Sequence, residues 1–132
     1  MSTTDHEAIR RLIAHQAQLR DDNQVDEWAA NWATDATFAA GGKQIEGRAA
    51  IRASVGEADA SRGWQGLHLL GQPVIDLAGD GATASTDFVK IVARADGSIA
   101  IAGVFRYRDE LIRESGRWVF ARREVEPKHR AP

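Results

Sequence analysis

Cysteine is absent from the 132 residues. Its absence excludes a disulfide framework, a thiolate metal site and a cysteine nucleophile. Long apolar runs are missing as well: none approaches the roughly 20 residues of a membrane span, and Met1 to Gln18 is too polar for a secretory leader. Charge of one sign is not in excess either, since 17 basic and 19 acidic residues give a formal charge of −2. Those charges are spread without blocks, unlike a surface that binds nucleic acid or anionic membrane. No two histidines fall at ligand spacing on one element, and no Asp/Glu–His cluster is local, which disfavours a metal site. A glycine-rich phosphate loop, a Gly-x-Ser-x-Gly elbow, internal repeats and low-complexity segments are all lacking. The expectation is a cytoplasmic protein that uses no metal and no cofactor.

What is present is 43% hydrophobic residues, enough for one compact domain with a core of its own. The domain is expected to span residues 1–126, with 127–132 as a loose tail. The chain is organised around Ile99 to Val125, two runs rich in β-branched and aromatic residues separated by a polar turn at Gly116. Alternation along this hairpin puts Phe105, Tyr107, Asp109 and Leu111 on one face. A turn centred near Ser115 places Val119, Ala121, Arg123 and Val125 across from them, with Asp109 and Arg123 in diagonal reach. A mostly apolar face with three polar groups suits a pocket wall. The other face carries Arg106, Arg108, Glu110, Trp118, Phe120, Arg122 and Glu124 and is expected to meet solvent or another subunit.

Upstream, Asp5 to Asp22 has helical period: Ile9, Leu12, Ile13 and Ala17 form a stripe that Gln16, Arg20 and Asp21 continue. The buried face of this helix therefore turns polar in its last turns. A second helix is predicted over Val25 to Ala33, with Val25, Trp28, Ala29 and Trp32 on one side. A small hairpin of Ala36 to Ala40 and Lys43 to Glu46 follows, then a helix over Arg48 to Glu57, and a loop from Ala58 to Gln65. Strands are predicted at Leu67 to Leu77 and Ala82 to Arg94 ahead of the terminal pair, with turns at Gly79-Asp80-Gly81 and Asp96-Gly97. Helices first and an antiparallel sheet afterwards make an α+β fold.

Three side chains stand out as carriers of chemistry. Asp21 lies on the inward stripe of a helix, where a carboxylate needs a partner or a wet cavity; the position equally fits a solvated carboxylate at a frayed helix end. His68, in Gly-Leu-His-Leu-Leu, faces away from Leu67 and Leu69 and reads either as a core histidine or as a catalytic one. Arg123, facing an apolar concavity, is a natural oxyanion or leaving-group clamp, and equally a structural ion pair with Asp109. Trp28, Trp32, Phe38 and Trp64 read first as core and second as a platform for ligand.

The helix ending in Asp21, the Val-Asp-Glu-Trp helix start, the Phe38 strand, Glu46-Gly47-Arg48-Ala49-Ala50-Ile51, Leu67-His68-Leu69 and the terminal Phe105-Arg-Tyr-Arg-Asp and Trp118-Val-Phe-Ala-Arg-Arg together resemble the SnoaL-like branch of the nuclear transport factor 2-like superfamily. The resemblance covers almost the whole chain. It implies a cone-shaped, curved antiparallel sheet wrapped around N-terminal helices, with one deep apolar pocket. Within the branch the spacing looks like the scytalone dehydratase, bile-acid dehydratase and hexachlorocyclohexane dehydrochlorinase group, whose helix Asp and strand His form a catalytic dyad. Asp21 and His68 fall at those positions, and Arg123 at that of the pocket arginine. The chain departs from the group at Gln16, where a Tyr or Lys is usual, and at Ala93, near which scytalone dehydratase has a second histidine. The Asp-Arg-Asp set of the superfamily's epoxide hydrolases is not evident.

The resemblance implies a cofactor-independent lyase or isomerase acting on a small apolar cyclic or polyketide-like substrate. His68 would be the base, Asp21 would hold it within hydrogen-bond distance, and Arg123, with Gln16 or Tyr107, would stabilise developing charge. The competing readings are a ligand-binding or association domain without turnover, and a polyketide cyclase with Asp21 as base. A small-molecule ligand is the expected partner in every case, and a homodimer through the sheet face of Arg106, Arg108, Trp118 and Phe120 is expected.

Overall fold

The structure, a computed structural model, describes residues 2–55 and 65–130. Helix α1 (Ser2–Asp21) leads into α2 (Val25–Ala30), β1 (Trp32–Ala40), β2 (Lys43–Glu46) and α3 (Arg48–Ser54). After them come β3 (Gln65–Leu70), β4 (Val74–Ala78), β5 (Gly81–Ala93), β6 (Ile99–Glu114) and β7 (Arg117–Arg130). The strands form one sheet in the order β2-β1-β7-β6-β5-β3, with β4 also on β5. All pairs are antiparallel except β1 with β7. The fold is α+β, a curved and unclosed sheet with the N-terminal helices, as expected. No helix among the described residues is long and apolar enough to cross a membrane.

The α1 stripe explains the fold's two halves. Ile9 and Ile13 are fully buried with Trp32, Ile51, Leu111, Val119 and Phe120, which makes one half of the concavity a dry core. The last turns of α1, carrying Gln16, Arg20 and Asp21, lie over the other half, where the space is a cavity. The helix stops at that point for a local reason. Asn23 adopts φ of 59°, Gln24 N–H donates to the carbonyl of Leu19 and Asn23 N–H to that of Arg20. Together these bonds satisfy the terminal carbonyls in a Schellman closure, in which Asn is one of the few tolerated residues.

Several expectations are corrected. Trp32 begins β1, beside Phe120 in the parallel β1–β7 pair, and is not on α2, which ends at Ala30. The single strand expected from Leu67 to Leu77 is two: Pro73 has no N–H to give a ladder, and residues 71–73 break the pairing, with only the Gly71 N–H still bonded to Asp87. Of the expected tail, residues 127–130 extend β7. In the terminal hairpin, joined through Ser115 and Gly116 at φ of 54° and 81°, Asp109 sits directly opposite Arg123 and not on a diagonal. Beyond that pair the register slips, because Glu110 meets Arg122 while Leu111 meets Phe120, leaving Ala121 as the extra residue of a bulge. One extra residue exchanges the faces. Phe120 therefore sits opposite Leu111 and Trp118 opposite Arg113, and both are buried in their own chain together with Val119. They are not available to an outward interface. Expected helix residues 56 and 57, and the loop to Trp64, lie outside the described residues.

Candidate functional site

The cavity has a volume of about 990 Å³ and an aromatic wall of Trp28, Trp32, Phe38, Phe88, Phe105 and Tyr107. Asp21 from α1 and His68 from β3 meet at its edge. The carboxylate takes hold of the histidine twice: Oδ2 accepts the backbone N–H of His68 at 3.0 Å, and Oδ1 lies 2.5 Å from Nδ1. A carboxylate only accepts, so Nδ1 carries a proton, and in the neutral imidazole it is Nε2 that keeps the lone pair. The double contact fixes strand and ring together. The side chains are 17% exposed for His68 and 8% for Asp21, and both line the cavity.

From His68 a row of flat groups crosses the sheet. The imidazole lies 5.6 Å from the ring of Phe88, Phe88 stacks on Tyr107 at 4.0 Å, and the Arg123 guanidinium lies 3.6 Å over Tyr107. His68 and Arg123 thus stand at opposite ends of one wall. Arg123 donates through Nε and Nη2 to both oxygens of Asp109, at 2.7 and 3.0 Å. Its Nη1 makes no hydrogen bond among the described residues, and Arg123 lines the cavity. Burial works against the guanidinium charge, but the adjacent Asp109 carboxylate more than offsets it and holds Arg123 above its ordinary range. Asp109, fully buried behind it, is pushed up by burial although Arg123 pulls the other way.

Gln16 lines the cavity, as expected of a pocket residue, and is also tied into the fold. Its Nε2 donates to the carbonyl of Trp28 and its Oε1 accepts from Asn31, so it ties α1 to α2 and to the residue before β1. Trp28, Trp32 and Phe38 serve both readings, since Trp32 makes edge contacts with the other two at 5.6 Å while all three face the cavity. The indole N–H of Trp32 has no partner among the described residues. Trp64 lies outside the described residues. Phe88, Lys90 and Arg20 also line the cavity, although the sequence does not single them out as site residues. Arg20 falls on the helix stripe, and alternation of Ala82, Ala84, Thr86, Phe88 and Lys90 along β5 is the signal for the other two. Among the described residues no group of three His, Asp or Glu side chains is placed to hold a metal ion.

Burial pushes the phenol of Tyr107 up from 10.0 to about 12, with the Arg123 charge opposing and Asp109 reinforcing the shift. Tyr107 is the chain's one tyrosine, so its ionisation can be read directly. Unfolded chain loses this proton near pH 10 and folded chain near 12. Stability linked to Tyr107 is therefore constant below pH 10 and falls as pH rises from there, by about 3 kcal/mol in all. Tyrosinate absorbance should stay flat through pH 10 while circular dichroism remains native; a midpoint at 10 in folded protein would refute the buried phenol.

The sequence profile of the SnoaL-like domain matches residues 1–124. No curated protein matches the chain. Among solved structures, an NTF2-like protein with a cystatin-like fold from Novosphingobium aromaticivorans is 29% identical, with a TM-score of 0.85 over 96% of this chain and 83% of that one. Rv3472 of Mycobacterium tuberculosis, a protein of unknown function, is 28% identical, with a TM-score of 0.86 over 96% of this chain and 73% of that one. A Catenulispora acidiphila protein in complex with S-DNPA is 25% identical, with a TM-score of 0.84 over 96% and 94%.

Proposed function

The chain belongs to the SnoaL-like domain family, and on that footing we propose that it is a cofactor-independent lyase or isomerase of the dehydratase type, acting on a small cyclic molecule. The observation that carries this reading is the double grip of Asp21 on His68. A pocket that only binds has no need to orient an imidazole through both its backbone and its ring. The Catenulispora protein's small ligand supports a ligand in this cavity.

In the proposed reaction Nε2 of His68 takes a proton from a carbon activated by a neighbouring carbonyl. The C–H electron pair enters a new double bond. In an elimination the leaving group departs with its own pair and takes the proton back from the imidazolium; in an isomerisation the proton returns at another carbon. Asp21 stabilises the imidazolium while it exists. Arg123, at the far end of the wall, receives the negative charge that conjugation spreads through a ring lying across Phe88 and Tyr107. With both Asp21 oxygens on His68, Asp21 is better suited to orienting the base than to acting as one.

The test is turnover. Wild-type protein is incubated with cyclic β-hydroxy ketones, halogenated rings and enolisable ring ketones, and loss of water, loss of halide or bond migration is followed by mass spectrometry and NMR. At least one class should be converted by wild type and not by His68→Ala. Tight binding across the panel with no conversion would favour the association-domain reading.

A further inference from the structure

Three strands set two rows side by side, from which His68, Lys90, Phe88 and Phe105 line the cavity. One row is His68, Lys90 and Gly103; the next is Leu70, Phe88 and Phe105. Ala102 is the extra residue of a bulge, since Lys90 pairs with Gly103 and Ile91 with Ile101. Gly103 follows that bulge, is buried, and does not need a positive φ, so its backbone does not demand glycine. Its neighbour does. A methyl group built on Gly103 would lie 2.7 Å from Cζ and 2.8 Å from Cε2 of Phe105, closer than carbon atoms pack. The Phe105 ring thus occupies the place of a side chain at 103. From there it stacks on Phe88 at 5.2 Å, and Phe88 stacks on Tyr107, so three rings form one strip along the cavity wall.

We infer that Gly103 is a specificity-determining residue: by letting Phe105 lie back over the strand it keeps the cavity long enough for a planar fused-ring substrate, where a single ring would otherwise be the limit. A Cβ at 103 must move the ring. The His129 carbonyl oxygen lies 3.5 Å from the same methyl position, an ordinary contact, so Phe105 is the group that gives way, and its ring already lines the cavity. The displaced ring therefore turns into the cavity and shortens the space over Phe88. Only the far end of one side chain has to shift, so the fold survives. A volume of about 990 Å³ is at the upper end of ordinary ligand sites, and a single ring would fill little of it. This inference rests on the cavity being the ligand site, and it adds which ring systems that site accepts.

The experiment compares benzoate, 2-naphthoate and anthracene-2-carboxylate by isothermal titration calorimetry on wild type, Gly103→Ala and Gly103→Ala/Phe105→Ala. Wild type should bind the fused-ring acids more tightly than benzoate. Gly103→Ala should weaken anthracene-2-carboxylate by about tenfold or more, as overpacking of a filled site does, and leave benzoate little changed. Removing the ring in the double variant should restore the fused-ring affinity, an outcome that general destabilisation by the added methyl group could not produce. Equal selectivity in wild type and Gly103→Ala would overturn the role of Gly103 and leave the cavity reading intact. Failure of wild type to bind any of the three acids would count against the cavity as a ring-binding site, and this inference would fall with it.

Discussion

Replacing His68 with alanine should lower turnover by about 10²–10⁴-fold, the usual contribution of a positioned general base. The change should leave the fold intact, because β3 keeps its ladder to β5 and the backbone N–H of residue 68 still meets Asp21. Asp21→Asn is the finer variant. An amide can still face Nδ1, but it supplies no negative charge to the imidazolium, and its NH₂ group can turn toward Nδ1 and select the wrong tautomer. Its loss of rate should approach that of His68→Ala, and combining the two should cost little more than either alone, as expected of groups that act as one unit. Additive losses would mean that Asp21 and His68 act separately.

The second large effect concerns Arg123, whose Nε and Nη2 hold Asp109 while Nη1 makes no hydrogen bond among the described residues. Replacing both residues by leucine should be close to neutral for stability, since the desolvation of a buried ion pair often cancels its attraction. The same double variant should lose about 10²–10³-fold in turnover if Arg123 receives developing charge. Asp109→Ala alone gives the opposite profile. It leaves a guanidinium buried without its counter-ion and should remove about 3–5 kcal/mol of stability. Arg123→Lys keeps the charge but not the planar fork, so it should recover only part of the rate. A stable Asp109→Leu/Arg123→Leu protein that turns over at the wild-type rate would make Arg123 purely structural.

The site was legible where local periodicity alone decides direction. Polar residues on the last turns of α1 left Asp21 between a partnered or cavity-facing carboxylate and a frayed end, and the structure pairs it with His68; alternation over 105–111 put Tyr107 and Asp109 on one face, where Tyr107 lines the cavity and Asp109 is buried against Arg123. What stayed hidden depends on register. The bulge at Ala121 has no local signature in Phe-Ala-Arg-Arg, yet it moves Phe120 from the outer face to the centre of the core. Trp32 fits a helical stripe as well as a strand start, and its pairing with Phe120 decides between them. Lys90 becomes a neighbour of His68, and Gly103 a seat for Phe105, only once β3, β5 and β6 are aligned. Sequence-distant pairing of that kind cannot be read from composition or period.

Removal of a proton from carbon by the His68 imidazole, held by Asp21, is the step on which the proposed reaction depends. Solvent-deuterium incorporation into a bound, enolisable ring ketone, followed by proton NMR, reads that step alone and needs no leaving group. Wild-type protein should exchange the hydrogen next to the carbonyl, and both His68→Ala and Asp21→Asn should slow the exchange by about 10²-fold or more while still binding the ketone. Exchange at the wild-type rate in a folded His68→Ala protein would contradict this role for His68.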